Sequence, residues 1–413
     1  MDWSIPKDIT EFIVKIDDFI AAELKPIEEE NQEFFDHRRE FSRTDLERDG
    51  FPAARWLEIL AELRRRADAA GLYRYPLPAA LGGQDGSNLA MAMIREHLTS
   101  LGPGLHFPHH DEHSVVANLP IALVLLEYGT HLQKEQYLDR HVSGEIEIAF
   151  GLTEPGHGSD ATFIETTARR DGDDWIINGA KRFNSLSDAA EADLVFARTS
   201  GEDGKADGIT AFLVPTDSEG FSIPFNHWTI SMPSDHPEVH LKDVRVPSSA
   251  VVGEVGRGLD CAQLFIHENR TRQAASSLGA AQFCINQSVK YAQERVAFGK
   301  PLAQHQGIQW QLVELQTEAE LVRNTLHKTA AMMDESGRTS VSDKVAMVNV
   351  RGNQLACKAA DRAMQIHGGM GYTRALPFEQ IYRHHRRYRI TEGTDEVQFR
   401  RIAAAMFDFK SAG

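Results

Sequence analysis

The spacing of apolar residues changes twice along this 413-residue chain, and this change limits the fold more than any other feature. From Ile5 to about Ser143 the apolar residues recur every three or four positions, as in amphipathic helices. Near Glu145 the pattern becomes alternating, which is typical of strands, and from Leu259 it is helical again. The sequence therefore predicts an α+β, mainly α fold. Its expected parts are an N-terminal helical domain (1–145), a middle β domain (146–257) and a C-terminal four-helix-bundle domain (258–413).

Five short segments of the middle region alternate apolar and polar residues, as strands with one buried face do. No helical pattern separates them, so they predict an antiparallel sheet or barrel and not the strand–helix alternation of a Rossmann domain. The glycine-rich stretch Gly368–Gly371 fails the dinucleotide-binding fingerprint because it follows a helical pattern where a strand is required. The predicted strands are 162–169, 175–181, 192–198, 209–215 and 238–247.

Helical periodicity is strong at 56–72 and 119–137, and it is most regular in the C-terminal region. There, one apolar stripe spans 278–296 and a longer one spans 308–330, over more than three heptads. Such stripes predict a helix bundle. Two interpretations of the longer stripe remain open, because it would be buried equally well in the bundle core or at a subunit interface.

Composition restricts the partners of the chain. Asp and Glu outnumber Lys and Arg by 60 to 44, so we expect no nucleic-acid partner. No apolar run is long enough to span a bilayer, and Met1–Asp8 matches neither a signal peptide nor an Arg-rich transit peptide. We therefore expect a cytoplasmic protein without a membrane partner, although a trimmed organellar protein would have the same features. The cysteines are too few and scattered for a disulfide framework, and we expect Cys261, Cys284 and Cys357 in the core.

Two polar clusters could be mistaken for functional motifs. The segment His109–His113, with His106 upstream, lacks the spacing of a zinc motif, so we expect no metal and interpret it as a polar pocket lining. The basic run Tyr382–Arg389 predicts a solvated face. A contact with a partner subunit or with a CoA phosphate is the alternative for this run.

Two distant segments have the residues for chemistry. Phe150–Asp160 is a strand end followed by small residues, whose N–H and hydroxyl groups can bind a ring edge or a phosphate. In Thr391–Thr394, Glu392 stands between a small residue and a glycine that permits close backbone approach. A lone Glu in a polar stretch is ordinarily a solvated charge. In a desolvated pocket, however, the pKa of a carboxylate rises toward neutrality, which suits it to take a proton from carbon.

These two segments and three others resemble the acyl-CoA dehydrogenase family, in family order and over nearly the whole chain. The others are Lys181–Ser185, Glu294–Gln306 and Gln365–Tyr372. The resemblance implies FAD as cofactor, an acyl-CoA substrate and a homo-oligomer, either dimer or homotetramer, whose neighbouring subunit completes the flavin site. The residues implied to bind the cofactor are Phe150, Leu152, Thr153, Gly158, Ser159, Phe183, Ser185, Arg295, Phe298, Gln306, Gln365, Gly368, Gly369, Thr394 and Glu396.

By the same resemblance Glu392 is the catalytic base, while Ser159, Arg270 and Gly393 contact the substrate. Glu392 would remove the α proton of the thioester while hydride leaves the β carbon for the flavin, giving a trans-2-enoyl-CoA. Some family members keep the base just before the position of Arg270. Here that residue is Asn269, which cannot act as a base, so the resemblance assigns the role to Glu392. An electron-transferring flavoprotein is the implied electron acceptor.

The chain departs from the family pattern at two places. Phe183 replaces a Trp, so it is either a ring beside the flavin or a core residue of the sheet. The segment 229–238 replaces a Met-Gly-x-Arg-Gly-Ser type of stretch, which predicts a remodelled approach to the flavin edge and CoA. Two further functions stay open: a flavin oxidase or monooxygenase on the same scaffold, and a non-catalytic, nucleic-acid-associated relative.

Overall fold

The computed structural model describes residues 5–36, 39, 41–48, 50–106, 115–231 and 236–408. The chain divides into two units, each with its own core. The bundle unit comprises residues 1–39, 69–118 and 267–409, and the sheet unit comprises 40–68, 119–266 and 410–413. Helices predominate and one large sheet lies in the middle of the chain, which confirms the predicted α+β, mainly α class.

The regular elements follow one another as helices, then strands, then helices. The helices are α1 (Lys7–Phe19), α2 (Lys25–Glu30), α3 (Ala54–Ala69), α4 (Asn88–Ser100), α5 (Pro120–Tyr128), α6 (His131–Gln133), α7 (Asp139–Val142), α8 (Gly258–Glu294), α9 (Gln306–Ser336), α10 (Ser342–Ile366), α11 (Phe378–Arg387) and α12 (Asp395–Met406). The strands are β1 (Thr44–Asp45), β2 (Phe51–Pro52), β3 (Ile148–Gly151), β4 (Thr167–Asp171), β5 (Asp174–Arg182), β6 (Ala192–Arg198), β7 (Ile209–Pro215), β8 (Phe221–Asn226), β9 (Pro237–Pro247), β10 (Val251–Val252), β11 (Val296–Ala297) and β12 (Lys300–Pro301).

The core of the bundle unit is shared by α8, α9, α10 and α11, with α4 packed against them. The apolar stripe of α9 points into this core, so the stripe predicted at 308–330 is a bundle core and not a subunit interface. Gly279 of α8 allows the close approach of α4, because a Cβ there would lie 2.1 Å from the main-chain oxygen of Glu96. The buried stripe residues of α9 are Leu312, Leu315, Ala319, Val322, Leu326 and Ala330.

The sheet of the sheet unit has eight strands, with the neighbour order β10-β7-β6-β4-β5-β9-β8 and β3 paired to β6. Most pairs are antiparallel, as predicted, but β3 and β4 each run parallel to β6. The sheet is therefore mixed, and the described strands form an open sheet and no closed barrel. The sheet carries a buried apolar core, which includes Trp175, Phe212 and several Val and Ile side chains.

One predicted strand begins later in the structure than expected, and one edge strand of the sheet was not predicted. The segment predicted as a strand from 162 begins with a 3₁₀ turn (Ala161–Phe163), because the Asp160 carboxylate accepts the N–H of Thr162 at 3.0 Å and bends the chain. Strand β8 was not predicted. It contains Pro224, which cannot donate to a ladder and is tolerated here because β8 is an edge strand.

The predicted helix at 119–137 is broken after α5. Thr130 starts a new helix there, since its hydroxyl accepts the N–H of Gln133 while the Gln133 side chain accepts the N–H of Thr130. None of the described helices combines the length and the apolar composition that a bilayer-spanning segment needs.

Candidate active site

Glu392 lies in a tight turn between α11 and α12 of the bundle unit. Glu392 and Gly393 both have positive φ angles, +56° and +95°, and a left-handed Glu is strained unless its surroundings hold it. A side chain at Gly393 would be strained by the positive φ and tightly packed, because a Cβ there would lie 3.0 Å from the guanidinium of Arg270 and from Val397. The geometry of this turn therefore favours glycine at position 393.

Hydrogen bonds from two helices hold this turn. Arg270 of α8 donates its Nε–H to the main-chain oxygen of Glu392 at 2.8 Å. Gln398 of α12 donates to the same oxygen at 3.2 Å and to the Gly393 oxygen at 3.0 Å. The hydroxyl of Thr394 caps α12 by accepting the N–H of Val397. The backbone of the turn is therefore fixed, and the direction of the Glu392 side chain with it.

The carboxylate of Glu392 contacts a buried amide. Asn269 Nδ2 lies 3.2 Å from Glu392 Oε1, in donating geometry. The adjacent Arg270 is 4% exposed, and burial, together with the positive charge of Arg401, lowers its pKa to about 10. Arg270 is still a cation at neutral pH, so the turn combines a half-buried carboxylate with a fixed positive charge.

In the sheet unit, the loop that follows β3 is held by an ion pair without solvent contact. The Lys181 ammonium donates to the Glu154 carboxylate at 2.7 Å, and the Lys181 side chain is fully buried. Glu154 also accepts the N–H groups of Glu165 and Thr166. Burial alone would raise the pKa of Glu154, but Lys181 and the N–H donors outweigh it and lower that pKa.

This ion pair fixes the candidate flavin loop. The main-chain oxygen of Thr153 accepts the N–H of Arg182 at 2.8 Å, which joins the loop to the end of β5. Leu152 and Thr153 are half-buried, whereas Gly158 and Ser159 are exposed. Phe150 is also half-buried, and its ring stacks on that of Phe265 at 4.0 Å between ring centroids.

Phe183 occupies the turn after β5 and also has a positive φ, +64°. Its ring is 48% exposed, so it is not a core residue of the sheet, and the nearby Ser185 is exposed as well. The next residue, Asn184, is buried and donates to the Asp193 carboxylate at 2.6 Å, as does Ser187 at 2.9 Å. Burial raises the pKa of Asp193 to about 6. A cluster of buried polar groups therefore holds Phe183 and Ser185 at the surface.

The remodelled segment 229–238 meets Phe183 at its C-terminal end. The N–H of Phe183 donates to the main-chain oxygen of Pro237 at 2.9 Å. Glu238 accepts from Arg182 at 2.8 Å and lies 2.8 Å from His227 Nε2. Residues 232–235 of this segment lie outside the described residues.

A second group of candidate residues lies at the far end of α8. Arg295 follows α8, and the β11–β12 hairpin presents Phe298 with a φ of +54° and 98% of its surface exposed. Tyr291 stacks on His367 at 4.3 Å, which brings the turn containing Gln365, Gly368 and Gly369 beside this end. Gln306 is exposed at the start of α9, and Glu396 in the first turn of α12.

The bundle unit does not bring these candidates into one cluster. Arg270 and Arg295 are 25 positions apart on and just after the continuous helix α8, which corresponds to roughly 35 Å. Arg270, Glu392, Gly393 and Thr394 form one group within this unit, and the Arg295 group forms another. Leu152, Thr153, Phe183 and Ser185 are joined within the sheet unit.

His106 and the arginines of the basic run 382–389 make contacts within the fold. His106 is buried, its Nε2–H donates to the Gly102 oxygen at 2.9 Å, and burial lowers its pKa to about 4. Residues 109–113 lie outside the described part of the chain, and the described residues contain no group of three or more possible metal ligands. In the basic run, Arg383 pairs with Glu379 and Arg389 with Asp395, so the run is not an unpaired cationic face. All three cysteines are buried, as predicted.

Comparisons with known proteins find three domain models of one family, which together cover most of the chain. The models of the acyl-CoA dehydrogenase N-terminal, middle and C-terminal domains match residues 11–145, 149–244 and 256–407. The 3-(aryl)acrylate reductase of Clostridium sporogenes is 33% identical over 370 residues, which are 89% of this chain and 95% of that protein. Subunit CarC of the caffeyl-CoA reductase-Etf complex of Acetobacterium woodii is 31% identical and covers 83% of this chain and 88% of its own length. The solved structure of butyryl-CoA dehydrogenase from Megasphaera elsdenii has a TM-score of 0.82 and 28% identity, and covers 98% of this chain and 100% of that chain.

Proposed function

The chain belongs to the acyl-CoA dehydrogenase family of FAD-dependent oxidoreductases that act on CH–CH groups, and we propose that it converts an acyl-CoA thioester into the trans-2-enoyl-CoA with Glu392 as the base. The observation that carries this proposal is the fixed turn at Glu392, in which a half-buried carboxylate is held beside the cation Arg270. Such a carboxylate can take a proton from carbon without first reorganising its surroundings.

The residues present fit FAD. Phe183 and Phe298 are exposed aromatic residues with positive φ angles, and a Cβ at Gly368 or Gly369 would meet no other atom within 4 Å. We propose that Thr153, Ser159, Phe183 and Ser185 hold the ring portion. Arg295, whose forked donors match phosphate oxygens, would hold the pyrophosphate together with Gln306 and the Gln365–Gly369 turn. FAD, when bound, supplies the two-electron acceptor for the oxidation.

The remaining steps belong to the chain itself. The Glu392 carboxylate takes the α proton, and the main-chain N–H of Glu392 donates to the thioester oxygen as negative charge develops there. A donor of this kind contributes on the order of 3 kcal/mol to the stability of the transition state. Arg270 and Gln398 act indirectly, because they keep the Glu392 turn in position through its main-chain oxygen.

The test is an anaerobic titration of the purified, FAD-loaded protein with butyryl-CoA, octanoyl-CoA and 3-phenylpropionyl-CoA. The last belongs in the panel because one relative is named as a 3-(aryl)acrylate reductase. We expect at least one thioester to bleach the flavin absorbance and to be recovered as its enoyl-CoA. Bleaching by dithionite but by none of the thioesters would contradict the proposed reaction and favour a non-catalytic relative.

The physiological acceptor is proposed to be an electron-transferring flavoprotein, as the name of the Acetobacterium woodii complex suggests by analogy. After bleaching, such a flavoprotein should restore the yellow colour at once, whereas air should act slowly. Fast reoxidation by air with release of peroxide would instead support the oxidase alternative.

We further propose that the protein is a homo-oligomer, a dimer or a tetramer. The Glu392 and Arg295 groups lie roughly 35 Å apart along α8, so neighbouring subunits would combine them into complete sites. The outer face of α9 also exposes Trp310, Val313 and Leu321, each by more than 60%. Sedimentation analysis should give two or four times the chain mass of 46.1 kDa, and a monomer that retains FAD would contradict this proposal.

A further inference from the structure

A continuous series of buried side chains leads from α8 to the Glu392 carboxylate. Asn269 Nδ2 lies 3.2 Å from Glu392 Oε1, and Asn269 Oδ1 accepts from Asn118 Nδ2 at 2.7 Å. Asn118 in turn accepts a hydrogen bond from Arg272, whose guanidinium also donates to Glu268 at 3.0 Å. Asn118, Asn269 and Arg272 are each at most 6% exposed.

The chemistry of these groups fixes the direction of every bond in the series. Arg272 has only donors, so Asn118 must present its oxygen to it. The Asn118 NH₂ group then donates to Asn269, which must accept this hydrogen bond with its side-chain oxygen. As a result Asn269 can offer Glu392 only its NH₂ group. If the Asn269 amide turned over, its NH₂ group would face the NH₂ group of Asn118 and its oxygen would face the Glu392 carboxylate. Both contacts would be unfavourable in this buried region.

A donor that cannot turn over distinguishes between the two states of the carboxyl group. It stabilises the carboxylate. It stabilises a protonated carboxyl less, because the O–H of that group needs an acceptor and not a second donor. We propose that Asn269, oriented by Asn118 and Arg272, is a positioning residue for Glu392. It keeps the Glu392 carboxyl ionised and in place before the substrate proton is taken, and this inference rests on the proposed role of Glu392 as the base.

Other charged groups near the Glu392 turn also contribute to its electrostatic surroundings. From α8 these are Arg270, which contacts the Glu392 main-chain oxygen, and the pair of Glu268 and Arg272. From α12, Arg401 lies close enough to affect Arg270 and contacts His267 at 3.1 Å. Arg270 also interacts electrostatically with Glu392, and Asn269 adds to these charges a neutral, directional donor at the carboxylate oxygen itself.

The experiment measures the anaerobic flavin-bleaching rate of Asn269→Ala between pH 5 and pH 9, with the acyl-CoA that bleaches the wild type best. We expect the acid limb of the saturating rate to move up by about one pH unit, so that the rate at the acid end falls about tenfold while the rate at pH 9 changes little. The half-saturating thioester concentration should not change, since Asn269 acts on the base. Asn118→Ala should move the limb in the same direction by less, and the double variant should match Asn269→Ala because the residues act in series.

Asn349→Ala is the matched control. Asn349 is another buried amide beside α8, but it donates to the main-chain oxygen of Arg270 and lies outside the series. It should lower the thermal midpoint without moving the acid limb. If Asn269→Ala does not fold, Asn118→Ala carries the same test.

Two failures can be told apart. An acid limb that stays at its wild-type position in Asn269→Ala and Asn118→Ala overturns the positioning role and leaves the proposed reaction intact. Bleaching that persists in Glu392→Gln overturns the base itself, and the proposed reaction with it.

Discussion

Replacing Glu392 by Gln should leave a yellow, FAD-loaded protein that acyl-CoA no longer bleaches. The amide keeps the size of the side chain, and the contacts that hold the turn go to the main-chain oxygen of residue 392, so the turn should persist. What is lost is the only group in the proposed mechanism that takes the α proton. Removing a general base lowers the rate about a hundredfold to ten-thousandfold, and we expect the upper end because an amide cannot accept the proton.

The measurement is the anaerobic rate of bleaching at saturating acyl-CoA, with the thermal midpoint recorded for each variant. Glu335→Gln makes the same chemical change on the exposed end of α9 and should behave as the wild type. Glu392→Asp keeps a base but withdraws it by one methylene, so it should bleach slowly. A Glu392→Gln protein that bleaches at the wild-type rate would require another residue to act as base.

Local patterns in the sequence predicted the fold because the residues that decide it are close together in the chain. The α9 stripe is a three-and-four repeat, and the structure buries its predicted residues from Leu312 to Ala330. Strands β6 and β7 have the predicted limits, and both are buried along nearly their whole length within the sheet. The strand predicted from 162 begins only at Thr167, because Asp160 takes the N–H of Thr162 and a distant carboxylate, that of Glu154, takes the N–H groups of Glu165 and Thr166.

The site could be predicted only in part, for the same reason. Family-like motifs indicated Glu392 and the loop after β3, and the structure shows that both segments are firmly held. The groups that hold them were not predicted, because Glu154 and Lys181 are 27 positions apart and Asn269 and Glu392 are 123 apart, with no periodic pattern to join them. Asn269 was considered only as a residue that cannot be a base, and its contact with the carboxylate required the three-dimensional structure.

The buried pair of Lys181 and Glu154 gives the second large expected effect. Lys181→Met fits the space of the lysine stem but removes the cation that compensates Glu154. A buried ion that loses its partner destabilises a protein by about 3–5 kcal/mol. Because Glu154 also orders the loop from Leu152 to Ser159, we expect Lys181→Met to unfold at a lower temperature and to retain less FAD after gel filtration.

A double variant separates the charge effect from the loss of packing. Lys181→Met combined with Glu154→Gln removes both members of the ion pair and leaves only the Asp193 carboxylate in its vicinity, and the Gln oxygen can still accept the N–H of Thr166. Replacing both members of a buried ion pair is often close to neutral, so the double variant should recover much of the thermal midpoint and of the FAD content lost by Lys181→Met alone. Lys344→Met, at a partly exposed pair with Asp343, should change neither quantity appreciably. If the double variant is as unstable as Lys181→Met, packing of the lysine stem and not compensation of Glu154 is what the loop depends on.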